Sequence, residues 1–65
     1  MKITVNGSPE EIFPCSIRSF VLGKGLAVDG VVVEYNYRIV QKHEWDAIEL
    51  MENDNLEILS FVGGG

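Results

Sequence analysis

The sequence predicts an α+β domain: one mixed sheet of four to five strands, with one short helix across a single face. Three observations lead there. Lys2–Asn6 alternates polar and apolar residues, with Ile3 and Val5 on one side. Ile17, Phe20 and Val21 recur at i, i+3, i+4, the spacing of one helical stripe. After that stripe come β-branched runs and turn signals, with one mixed segment at Lys42–Leu50. At 65 residues the chain makes one domain with a small, continuous core.

The first strand is Lys2–Asn6. Asn6-Gly7 is a turn dipeptide, because both residues tolerate positive φ. Ser8 and Pro9 extend the polar loop, and a second short strand is expected over about Glu10–Phe13. Ser8 and Glu11 have the spacing of a helix capping box, but the preceding turn and Pro14 leave no room for a helix. Ser16 caps a helix of roughly two turns, ended by Gly23 and Gly25. A helix so short needs a sheet to pack on. Val31–Tyr35 is β-branched and apolar, and reads as a strand with much of both faces covered. Asn36-Tyr37 is a tight turn, and Arg38–Gln41 returns as a strand. Lys42–Leu50 is mixed, with Trp45, Ile48 and Leu50 as candidate core contacts. Asn53-Asp54-Asn55 is a polar turn, and Leu56–Val62 is the last strand. A right-handed crossover is expected to set the strand after the helix beside the first hairpin. The pattern is that of a β-grasp, the ubiquitin-like fold. Residues 1–62 form the domain, and 63–65 a flexible glycine tail. An exposed final strand would offer an edge to a second chain.

Composition excludes several functions. The formal net charge of −5 argues against nucleic acid, which needs a basic face. No stretch approaches the length and hydropathy of a membrane span or a signal peptide. A single cysteine, Cys15, builds no internal disulfide and fits a reducing compartment. The expected location is the cytoplasm.

Catalytic constellations are missing. Cys15 and the one histidine, His43, have no evident third group, and Cys15 reads as a small buried hydrophobe. His43 reads as a surface residue near a turn. Gly23-Lys24-Gly25 lacks the spacing of a phosphate loop and reads as a helix end. Glu44, Asp46, Glu49, Glu52 and Asp54 lack the ligand pattern of a calcium loop and read as a solvated face. No metal site is expected.

The unusual chemistry lies at Gly63-Gly64-Gly65. The carboxylate of Gly65 is a poor electrophile until a partner converts it to an acyl-adenylate. Residues without Cβ can thread a narrow channel and adopt whatever φ it requires. If Leu56 and Ile58 point into the core, Leu59 and Phe61 point away from it by the period of two, next to the tail.

The opening MKITVNG, the VVVEYN strand with RIVQKHEW, the NDNLEI turn and strand, and the terminal FVGGG are together similar to the ThiS family, the ubiquitin-like sulfur carriers of thiamine biosynthesis. The resemblance covers essentially the whole chain. It implies a protein cosubstrate rather than an enzyme, with no cofactor of its own. An E1-like adenylating enzyme, similar to ubiquitin-activating enzymes, would consume ATP to adenylate Gly65. A sulfur donor such as a cysteine desulfurase would supply the sulfur of a thiocarboxylate, and thiazole synthase would take it up. Gly64 would share the reactive tail. Gly63, Val62, Phe61 and Leu59 would meet the partner. Where the family commonly has Asn-Gly this chain has Asn36-Tyr37, which leaves that turn's geometry open. Where the family often has Asp-Gly-Asp it has Asn53-Asp54-Asn55, and its helix region is short. Three alternatives share parts of this reading: a molybdopterin-synthase small-subunit type of carrier, a ubiquitin-like modifier, and a binding module with a glycine remnant.

Overall fold

The computed structural model describes residues 1–61. Five strands and one helix follow one another: β1 (Lys2–Val5), β2 (Ser8–Glu11), α1 (Ile17–Gly23), β3 (Val31–Tyr35), β4 (Arg38–Val40) and β5 (Asn55–Ser60). Short 3-10 turns at Val28–Gly30 and Lys42–Glu44 complete the order. The sheet runs β2-β1-β5-β3-β4, with β1 and β5 parallel and the other neighbours antiparallel.

Local chemistry explains the hairpins. Asn6 and Gly7 have φ of 50° and 84°, so a two-residue turn with two left-handed residues joins β1 to β2. The second strand therefore begins at Ser8 and ends at Glu11, earlier than the expected Glu10–Phe13. Pro9 sits within it, opposite Thr4, and is tolerated because β2 is an edge strand with no ladder on its outer side. Asn36 and Tyr37 repeat the same turn between β3 and β4, with φ of 48° and 71°. The side chain of Tyr37 does not prevent the geometry, but it is strained there. A left-handed L-residue costs roughly 1–2 kcal/mol, against roughly 0.5–1 kcal/mol for the extra chain entropy of glycine. Tyr37→Gly is therefore expected to stabilise the fold by up to about 1.5 kcal/mol, read as a melting-temperature rise of roughly 4–8 °C per kcal/mol.

The helix follows its sequence signals. The Ser16 hydroxyl accepts from the Ser19 amide at 3.1 Å, and Gly25 beyond the C-terminus has φ of 76°. Ile17, Phe20 and Val21 are buried and pack with Ile3, Val31, Val33, Val40, Trp45, Leu50, Leu56 and Ile58 in one core. That core lies on one side of the sheet. Val31–Val33 is consequently not covered on both faces: Val31 and Val33 are buried, while Val32 is 38% exposed.

Two expectations about topology are corrected. The strand after the helix does not lie beside the first hairpin, because β5 occupies the place between β1 and β3. The crossover rule sets a handedness, not a spacing, and β5 fills the gap with Leu56 and Ile58 turned into the core. Nor is the final strand an exposed edge, since β1 and β3 flank it. It spans Asn55–Ser60 rather than Leu56–Val62.

The acidic run is not a uniform solvated face either. Asp54 is 8% exposed. Its carboxylate accepts from the Tyr35 hydroxyl at 2.9 Å, the Asn36 amide group at 3.1 Å and the Met51 backbone N–H at 2.7 Å. Asn36 Oδ1 in turn accepts from the Asn55 N–H at 2.8 Å. One carboxylate thus ties the β3–β4 turn to the entry of β5. Glu44 is also engaged, accepting from the Gln41 N–H at 2.7 Å to cap the second 3-10 turn. Hydrogen bonds to a charged group contribute about 1.5–3 kcal/mol each, and some donors left by Asp54→Ala can turn to water, so the expected loss is about 2–4 kcal/mol by urea unfolding. A loss below about 0.5 kcal/mol, the range of an ordinary surface substitution, would show the network to be incidental.

Candidate functional site: the last strand and the open sheet face

β5 leads toward the glycines, so its fastening decides where residues beyond it start. On one side, β5 pairs with β3 from Val31 opposite Ser60 to Tyr35 opposite Leu56, and the Phe61 N–H donates to Gly30 O at 3.0 Å. On the other side, β1 pairs only as far as Val5 opposite Leu56. Beyond that point the Asn6 side chain continues the ladder. Its Oδ1 accepts from the Ile58 N–H at 2.7 Å and its Nδ2 donates to Ile58 O at 3.3 Å. A carboxamide can replace a strand residue because it carries one donor and one acceptor in a plane. Asn6 was legible only as a turn residue; its contact with Ile58 spans 52 positions and leaves no local signal.

Alternation along β5 places the expected side chains. Leu56 and Ile58 are buried; Leu59 and Phe61 are 66% and 61% exposed. Trp45, a residue that could have covered them, is buried in the core instead. Val62, Gly63, Gly64 and Gly65 lie outside the described residues. The open face carries more than Leu59: Val32, Tyr37 and Ile39 are exposed there as well. Contiguous exposed apolar residues mark interaction surfaces more often than single ones do.

The other candidates stay apart from this face. Cys15 is half-buried rather than fully buried. Burial pushes its thiol above the usual range, with the Glu49 carboxylate adding to the effect. A thiol held protonated in this way is a weak nucleophile. His43 is exposed on the second 3-10 turn. Lys24 ends the helix, pairs with Glu10 at 2.5 Å and lies over the Phe20 ring, so the Gly23–Gly25 segment is a helix terminus. Among the described residues no group of His, Cys, Asp and Glu could hold a metal ion. No helix among them is long and apolar enough to cross a membrane.

A thiazole synthase of Magnetococcus marinus is 35% identical over 66 residues, covering all of this chain and 20% of that protein. The chain spans about a fifth of the length of the first curated relatives it matches. The sulfur carrier protein ThiS of Bacillus subtilis is 46% identical over 35 residues, 54% of this chain and 53% of that one. The crystal structure of the thiamine biosynthesis protein ThiS from Geobacter metallireducens superposes with a TM-score of 0.85 at 29% identity, covering both chains completely. It shares the five-stranded β-grasp architecture. The ThiS family profile matches residues 3–65, and the chain belongs to the ThiS family.

Proposed function

We propose that the protein is a sulfur carrier of thiamine biosynthesis, a cosubstrate and not a catalyst, working in the cytoplasm. Where Gly65 ends the chain, its carboxylate attacks the α-phosphate of ATP on an E1-like adenylating enzyme. An acyl-adenylate forms and pyrophosphate leaves. The persulfide of a donor protein, loaded by a cysteine desulfurase, then displaces AMP, and a reducing thiol cleaves the S–S bond of the resulting acyl disulfide and ends as a disulfide with the donor. The C–O bond to phosphate breaks, a C–S bond forms, and Gly65 becomes a thiocarboxylate. Thiazole synthase takes that sulfur into the thiazole ring.

The observation that carries this reading is the family match running through Gly65. The exposed Leu59 and Phe61 support it, since a partner that holds the tail also needs a surface beside it. Gly63 and Gly64 suit a narrow channel because they have no Cβ.

The test is the intact mass of the chain purified from cells that are making thiamine. A species heavier by one oxygen-to-sulfur exchange, mapped to Gly65, is expected. A ladder of larger conjugates would instead indicate a ubiquitin-like modifier. An unmodified mass after incubation with ATP, a sulfur source and the host's adenylating enzyme would leave a binding module.

A further inference from the structure

The open face of the sheet has an acidic centre within an apolar rim. Glu34 on β3 stands directly opposite Glu57 on β5, and on its other side opposite Ile39 on β4. Two positions along, Val32 stands opposite Leu59. These five residues and Tyr37 line one shallow depression, and no basic residue lines it. Neither Glu34 nor Glu57 is paired with a cation among the described residues, although Glu10, Glu11, Glu44, Asp29 and Asp46 each have one.

Like charges placed directly across two strands destabilise a sheet. Among the described residues no cation offsets that cost. A cation seated between the two carboxylates would reverse the sign of the interaction, and an apolar rim closed by a partner would strengthen it by excluding water. A guanidinium fits better than an ammonium, because its fork can serve two carboxylates and its plane can stack on the exposed Tyr37 ring.

We propose that this depression is a docking socket for a basic side chain, an arginine, on the surface of the thiazole synthase that receives the sulfur. The proposal rests on the carrier reading and adds the chemistry by which the partner is recognised. Charge complementarity supplies the occupant's chemistry. A thiazole synthase that contains a segment matching this whole chain makes that enzyme class the partner we assign. The socket's Leu59 and Glu57 lie on β5, the strand that leads to the tail, so docking here sets the tail's starting point on the partner.

The test is calorimetric titration of the full chain with the thiazole synthase of the same organism. Wild-type binding is expected to weaken as salt rises. The double variant E34Q/E57Q is expected to bind roughly ten- to a hundred-fold more weakly, with a flatter salt dependence, and to melt no lower than wild type because a repulsion has been removed. E57K, which places a cation opposite Glu34, is expected to melt higher and to lose affinity. That pairing of gained stability with lost affinity is not the signature of a merely structural role. Equal affinity of E34Q/E57Q and wild type would overturn the socket. Absence of binding by the wild-type chain would overturn the assignment of thiazole synthase. The sulfur-for-oxygen mass change at Gly65 is read separately, so either failure leaves the carrier reading standing on its own test.

Discussion

A chain cut after Gly63 is expected to fold as well as the full chain and to carry no sulfur. The buried core described here runs from Ile3 to Ile58, so removal of Gly64 and Gly65 deletes no core residue. The expected change in melting temperature is under about 2 °C, corresponding to a few tenths of a kcal/mol in a domain this small. The chemical consequence is complete. Two extended residues span at most ~7 Å, so the new carboxylate of Gly63 stops that far short of the α-phosphate. A misplacement of even 1 Å at a reacting centre costs about a hundred-fold in rate. Incubation with the adenylating enzyme, ATP and a sulfur source, followed by intact-mass measurement, should give full conversion of the wild type and none of the cut chain. Gly65→Ala keeps the length and adds one Cβ, and is expected to slow conversion without changing stability. A cut chain that unfolds would make the tail part of the fold, and a cut chain that still gains sulfur would remove Gly65 from the reaction.

The largest effect on stability is expected from Trp45→Ala, about 3–5 kcal/mol. Trp45 is among the largest fully buried side chains, and its indole N–H donates to Val40 O at 3.3 Å. It anchors the irregular stretch between β4 and β5 beneath the sheet, with Leu50 buried beside it in the same core. Total stability for a domain is only about 5–15 kcal/mol, and a small one sits at the low end, so the variant should be largely unfolded at body temperature. Trp45→Phe restores most of the apolar volume and loses one hydrogen bond of about 1 kcal/mol plus a modest cavity term. Urea unfolding curves of the three proteins give the order wild type, Trp45→Phe, Trp45→Ala. If Trp45→Ala cost less than about 1 kcal/mol, the mixed segment would be a surface loop and Trp45 no part of the core.

Local pattern carried much of this molecule. Period-two alternation at Ile3 and Val5, helical spacing at Ile17, Phe20 and Val21, the Ser16 cap and the Asn-led turns each act within a few residues, so the sequence by itself determined which segments become strands, helix and turns. It also marked Leu59 and Phe61 as pointing away from the core, because side-chain parity along a strand is a local property. Tertiary structure decided what depends on distant partners. Only the fold shows β5 entering between β1 and β3, which turns the last strand from an edge into the centre of the sheet. Only the fold buries Asp54 under Tyr35 and Asn36, and lets the Asn6 carboxamide stand in for a strand at Ile58. Only the β3–β5 register brings Glu34 opposite Glu57, 23 positions apart in the chain. A one-residue slip of either strand would have turned its own carboxylate toward the core. Hydrogen-bond register and the desolvation of polar groups are settled between segments far apart in sequence, and neither has a periodicity that the sequence displays.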